Sequence, residues 1–435
     1  MYKSATPIML KNLIMTMAKP ILFSVVLLFF ASKIFSQDSI AVFSKDTKGS
    51  SRERLYKSLI NNTINKNLSY ALTDSTEENW MDAFNAISLV HYKSPVIVTK
   101  IHEAFVSISK RTDDFQRSLL SMVYDIYPNE FLKETRFLIN QEVSNKVFAM
   151  SAEYIIQNDP AAIATIEQKA RRRLQNDSTL AIIPSLIYRI DNWAIKKQLP
   201  PIKELLHQSF YKNAVLVISF QRTNRNYPGI VIVRDSAGGF LKGAYTDYFY
   251  VQQLARSITN LPSYLSGGNT PQGLFRMDGF AVSRSNFIGP TPNIQLTMPG
   301  ETSIGHFMND SAILDTVWTE DWYKKLLPQQ WKNYIPFYDS YYAGKAGRTE
   351  IIAHGSTIDP SYYKTEPYYP LTPTLGCLCT TELWGMQDGK RMLSDQQQLV
   401  NAIQKAGGAN GYYIVIELDD EKRPVTIEDI KSYLK

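Results

Sequence analysis

Two short stretches of this chain carry residue types that can do covalent chemistry. Thr374-Leu375-Gly376-Cys377-Leu378-Cys379 places a glycine directly before a cysteine, and His354-Gly355-Ser356 ends the apolar run Ile351-Ile352-Ala353. A thiol with a reference pKa of about 8.5 is mostly protonated at neutral pH, so a cysteine nucleophile needs a base or cation beside it. His354 is the natural base, because it ends an expected strand and a rigid element can hold an imidazole against a cysteine on a neighbouring strand. Glycine at 376 lets backbone approach a reacting carbonyl closely, which makes the N–H groups of Leu375, Gly376 and Cys377 candidates for an oxyanion hole.

A cysteine in a β domain is more often a small buried hydrophobe than a nucleophile. The Gly-Cys context with His-Gly upstream is what favours chemistry at Cys377; Cys379 is expected in the core, on the opposite face of the strand. These are the only cysteines, so disulfide stapling is not expected even in an oxidising compartment. His91, His102 and His207 have no metal-ligand spacing, and neither a metal nor any other cofactor is expected. His306, in Gly305-His306-Phe307-Met308, is weighed as a second site histidine and set below a solvated position.

With Thr270-Pro271-Gln272-Gly273-Leu274-Phe275 added, the sequence resembles the L,D-transpeptidases with the YkuD-type catalytic domain. The three segments look like that family's Thr-Pro-x-Gly-x-Phe, His-Gly and Ser/Thr-His-Gly-Cys-apolar motifs, in the same order, and the resemblance covers most of residues 211 to 420. It implies Cys377 as nucleophile, His354 as general base and the amides around Gly376 as oxyanion hole, with Gly355, Ser356 and Thr374 lining the site. The implied substrate is a peptidoglycan stem peptide, cut at the diaminopimelate to D-alanine bond to leave a thioester that an amine of a second stem resolves. Leu375 departs from the pattern where a second histidine is usual, and Cys379 where Arg or Asn is common. The insertion between His354 and Thr374 holds Tyr362, Tyr363, Tyr368 and Tyr369 among prolines and is expected to form an aromatic lid or groove wall.

The elements that must position these residues differ between the halves of the chain. Residues 52 to 210 contain no glycine and carry apolar positions at helical spacing, such as Trp80, Ala83, Phe84, Ile87 and Val90, which predicts an all-helical domain. Trp80, Phe115 and Val147 open comparable units, which suggests stacked helix pairs, with an irregular bundle as the alternative. After Lys212, the β-branched runs 214–220 and 229–233 and frequent glycine predict strands. Ser394 through Gln397 predicts a capped helix ended by Gly407-Gly408, followed by a strand from Tyr412 and a last helix capped by Thr426. The fold class is therefore α+β: a helical domain over 38–210, then a mainly β catalytic domain over 211–435 with few helices.

Lys11 and Lys19 precede the apolar run Pro20 to Ala31, which reads as a signal peptide over 1–37, with an uncleaved anchor as the alternative. The expected location is the periplasm or cell envelope. Removal of the leader takes four lysines and no acid, so the formal charge of +6 falls to +2. A nearly neutral body without basic tracts argues against nucleic acid as a partner. The functional expectation is an exported cysteine peptidyl-transferase. The alternatives are an L,D-carboxypeptidase or amidase that uses water, and a non-catalytic peptidoglycan-binding protein; in each case the helical half is a candidate surface for an envelope protein partner.

Overall fold

The computed structural model describes residues 41–176, 181–193 and 198–435; the expected leader lies outside the described residues. Helices begin where a serine or threonine can satisfy a free N–H of the first turn. Ser94, Thr112 and Ser144 accept from the amides of Ile97, Phe115 and Val147, starting Pro95–Val106, Asp113–Ile126 and Asn145–Asn158. In chain order the helices are α1 (Gly49–Ser58), α2 (Glu77–Val90), α3 (Pro95–Val106), α4 (Asp113–Ile126), α5 (Leu132–Leu138), α6 (Asn145–Asn158), α7 (Ile163–Asn176) and α8 (Ile182–Asp191). The alternate helices α2, α4, α6 and α8 pack on one another in succession, and Trp80, Phe84, Phe115, Leu119, Phe148 and Leu186 share one buried core.

That core does not stop at the end of the helices. Ile258, Leu261, Tyr264 and Leu265 belong to it, and the Arg256 guanidinium lies 2.5 Å from Asp125. The Tyr264 hydroxyl donates to Glu153 at 2.9 Å.

Eight strands close into a barrel in the order β1-β10-β4-β5-β6-β7-β3-β2. They are β1 (Val215–Gln221), β2 (Gly229–Arg234), β3 (Val251–Leu254), β4 (Gly273–Ala281), β5 (Asn293–Thr297), β6 (Ile352–His354), β7 (Leu378–Thr380) and β10 (Asn410–Glu417); β8 (Glu382–Trp384) and β9 (Arg391–Ser394) form a separate hairpin. The helix Asp395–Ala406, capped by Ser394 and ended by Gly407 as its sequence predicts, packs against β1, β2, β3 and β5. These strands lie on both sides of the barrel, so Leu399, Ala402, Ile403 and Ala406 fill its interior beside Val217, Phe275, Ala353, Leu378 and Val415.

The α+β class holds, but the C-terminal part carries more helix than a mainly β reading expects. Between β5 and β6 lie the helices Ile304–Met308, Glu320–Lys324 and Asp339–Lys345 with 3-10 turns between them. The reason is in the aromatic spacing: Trp331, Tyr334, Phe337, Tyr338 and Tyr341 recur every three or four residues. They bury one stripe against Leu216, Ile218, Leu274 and Ile414 on the outer face of the barrel.

Candidate active site

The ladder between β6 and β7 sets the geometry. The two strands run parallel, with Ala353 opposite Leu378 and His354 opposite Cys379. Ala353 and Leu378 point into the barrel, so the pleat turns His354 and Cys379 outward. Cys377 precedes β7 in a bend, so the alternation of the strand does not set the direction of its side chain relative to Cys379. Cys379 is buried for a different reason: Thr372 and the Thr380 carbonyl enclose its sulfur at 3.8 and 3.6 Å. Burial pushes that thiol up to about 12. Cys377 is half-buried and is the accessible thiol of the two.

His354 is held by its neighbour. Its Nδ1 lies 2.5 Å from the Gly355 carbonyl; a carbonyl can only accept, so Nδ1 carries the proton and Nε2 presents a lone pair. Burial pulls the imidazole down to about 4, which keeps it neutral at pH 7 and makes it a weaker base than a free imidazole. Gly355 must be glycine, because a Cβ there would stand 2.3 Å from the Glu382 carboxyl carbon. That carboxylate accepts hydroxyl protons from Thr291 at 2.5 Å and Ser394 at 2.6 Å. Ser356 is occupied within its own loop, its Oγ accepting from the Ile358 amide at 3.1 Å.

Thr374 folds the cysteine loop. Its hydroxyl donates to the Cys377 carbonyl at 2.8 Å and accepts from the Gly376 amide at 3.0 Å. The Gly376 N–H is thereby taken, which leaves the amides of Leu375 and Cys377 as the candidate oxyanion donors of the three. The Gly376 carbonyl points inward to the Thr270 hydroxyl at 3.0 Å and the Arg348 guanidinium at 3.1 Å. In a planar trans peptide the following N–H points the opposite way, so the Cys377 amide is turned from Thr270 and Arg348. Leu375 is 58% exposed beside it.

The thiol of Cys377 donates to the Glu350 carbonyl at 3.7 Å. Among the described residues it is not hydrogen-bonded to His354, which pairs with Cys379 two positions further along the chain. Burial and the Glu350 carboxylate hold the thiol above its ordinary range, against the opposing Ile352 backbone and Arg348 charge. The resting pair is thus a neutral thiol and a neutral imidazole. Proton transfer requires the sulfur to leave the Glu350 carbonyl by a change of side-chain rotamer. Glu350 itself has φ +64, uncommon for a residue with a side chain. The Glu301 carboxylate pins it by accepting from the Glu350 amide at 2.8 Å and the Met298 amide at 3.0 Å.

Sequence reasoning missed Arg348, Glu350 and the role of Thr270. Arg348 is 6% exposed and donates to the carbonyls of Ser263, Asn269 (2.6 Å), Gly268 (2.7 Å) and Gly376. Its sequence setting, Ala346-Gly347-Arg348-Thr349, is that of an ordinary polar turn, and its partners lie 28 to 85 positions away. The Thr270 threonine was visible in its motif, but not its reach across to Gly376.

The tyrosines after His354 do not form a lid. Tyr363 and Tyr368 are buried with Leu254 and Leu371, and the Tyr363 hydroxyl donates to the Leu89 carbonyl in α2 at 2.7 Å. They pack barrel against helices because aromatic area of this size gains more from burial than from exposure over a groove. Tyr369 is the exposed member of the set. His306 lies 2.8 Å from Asp278 on the surface, His91 lies between Asp125 and Glu366, and His102 faces Glu134. No cluster able to hold a metal ion occurs among the described residues, and no helix among them is long and apolar enough to cross a membrane. Comparison with known proteins finds no matching family model, no similar curated protein and no similar solved structure.

Proposed function

We propose that this chain is an exported cysteine peptidyl-transferase of the L,D-transpeptidase type that acts on peptidoglycan stem peptides through a thioester on Cys377. One observation carries the reading: three segments scattered over a hundred residues meet at a single loop. Thr270 of the Thr-Pro segment donates to Gly376, Thr374 brackets Gly376 and Cys377, and His354 stands on the strand paired with β7. Three independent sequence signals have no structural need to converge unless they serve one site.

In this reading the Cys377 proton passes to Nε2 of His354 as sulfur attacks the carbonyl carbon of the diaminopimelate to D-alanine bond. The amides of Cys377 and Leu375 face the oxyanion. The C–N bond breaks, His354 returns the proton to the leaving amine, and D-alanine departs. A side-chain amine of a second stem then attacks the thioester; its proton goes to His354 and on to the departing sulfur. The helical array is the candidate docking surface for an envelope partner, and the leader the route out of the cytoplasm.

Incubation of the purified protein with tetrapeptide stems, read by mass spectrometry, tests this. Crosslinked dimers with released D-alanine support transfer; free tripeptide without dimers assigns a carboxypeptidase instead. The thiol's hydrogen bond toward Glu350 rather than His354 favours a second reading, a peptidoglycan-binding domain without catalysis. In that case neither product forms and the stems bind unchanged.

A further inference from the structure

We propose that Arg348 is the fixed counter-charge that stabilises the thiolate of Cys377, in addition to clamping the loop that carries it. This goes beyond the proposed acyl transfer, because it concerns the ionisation of the thiol and holds or fails whatever the substrate.

The argument starts from an unusual buried cation. A guanidinium taken out of water normally has a carboxylate beside it, because neutral acceptors satisfy its N–H donors without cancelling its charge. Five other buried arginines obey this: Arg52 meets Asp359, Arg222 meets Asp419, Arg225 meets Glu417, Arg256 meets Asp125, and Arg276 meets Asp278. Arg234, bonded to the carbonyls of Leu206 and Tyr211, has the Asp235 charge next to it. Arg348 has four carbonyls and, among the described residues, no carboxylate within ion-pair distance. The group that becomes its opposite charge on ionisation is the thiol of Cys377, one residue past the Gly376 carbonyl that Arg348 binds at 3.1 Å.

Placement points the same way. A Cβ on Gly376 would stand 2.1 Å from an Arg348 terminal nitrogen, so the guanidinium presses against the residue before the nucleophile. Gly376 has φ +116, a conformation that glycine tolerates, and this permits the approach. Of the charged groups that act on the thiol, the Glu350 carboxylate opposes ionisation and Arg348 favours it. Arg348 is the one positive charge among them. Burial without a partner pulls Arg348 itself down to about 10, so it remains charged at neutral pH. When sulfur gives up its proton, the desolvation cost of both charges falls together. The ion pair is absent at rest and forms during the reaction.

The test is the pH dependence of iodoacetamide alkylation of the full chain, with the Cys377→Ser protein as the blank for Cys379. Arg348→Gln keeps two N–H donors for the carbonyls and removes the charge; Arg348→Lys keeps the charge and loses part of the hydrogen bonding. The expected result is a midpoint at least one pH unit higher in Arg348→Gln, hence about tenfold slower alkylation at a fixed pH below it. Arg348→Lys should stay within half a unit of the parent. A parental midpoint in Arg348→Gln, or an equal rise in both variants, overturns the proposal and leaves Arg348 as a loop clamp. Should Arg348→Gln fail to fold, Arg348→Lys decides alone: an unchanged midpoint supports the proposal and a raised one overturns it.

Discussion

His354 stands directly opposite Cys379 in the parallel ladder, and Cys377 sits in the bend just before β7 with its thiol on the Glu350 carbonyl. Of the two thiols, the half-buried Cys377 is the accessible one, and in the proposed reaction its sulfur first leaves the Glu350 carbonyl.

The neutral imidazole fixes the pH behaviour. Because burial holds His354 near 4 rather than 6.5, the base form persists in mild acid, and kcat/KM should fall only as pH drops through about 4. Folding follows the same shift with its own sign. The unfolded chain takes up a proton near pH 6.5 and the folded one not until about pH 4, so stability decreases as pH falls between those values, by roughly 3 kcal/mol. Denaturant titrations of the parent and His354→Gln from pH 7 to pH 4 check this; the variant should lose that part of the slope.

Gly376→Ala should damage both loop and site. A Cβ there meets the Arg348 nitrogen at 2.1 Å and the Gly268 carbonyl at 2.5 Å, at a φ of +116. Overpacking and backbone strain together cost roughly 3 kcal/mol. A fall in the denaturation midpoint accompanied by slower alkylation of Cys377 is expected.

Thr270 and Thr374 both act on Gly376, one through its carbonyl and one through its amide. Thr374→Val leaves the Gly376 amide without its partner and should destabilise by about 1–2 kcal/mol, whereas Thr270→Val should cost about 0.5–1 kcal/mol, because the Gly376 carbonyl keeps the Arg348 guanidinium. Since they hold the two peptide units on either side of the Gly376 Cα, a double-mutant cycle should give a coupling of at least about 0.5 kcal/mol, whereas additive losses would separate the two contacts.

Tyr363→Phe removes the hydroxyl that reaches Leu89 and should lower stability by about 1 kcal/mol. Activity on stem peptides should not change, because this residue joins barrel to helices and does not cover the site; a loss of activity without loss of stability would restore the lid.

Much of the scaffold was legible from local pattern. The runs at 215 and 229, the capped helix at 395 and the strand at 410 lie where alternation, capping and glycine stops put them, since each is fixed by residues a few positions apart. Cys377 and His354 were legible as types with the right neighbours. What escaped depends on contacts distant in sequence: the closure of the barrel, the aromatic stripe from Trp331 to Tyr341, and the four carbonyls around Arg348. The burial of Tyr363 was hidden for the same reason, as its partner belongs to a helix some 270 positions earlier.

The account stands most directly on the covalent intermediate. Intact-protein mass spectrometry after rapid acid quench of the full chain with a tetrapeptide stem should show an acyl adduct carried on Cys377, absent in Cys377→Ala and retained in Cys379→Ala. An unmodified mass while stems are being turned over, or an adduct that survives in Cys377→Ala, would contradict it.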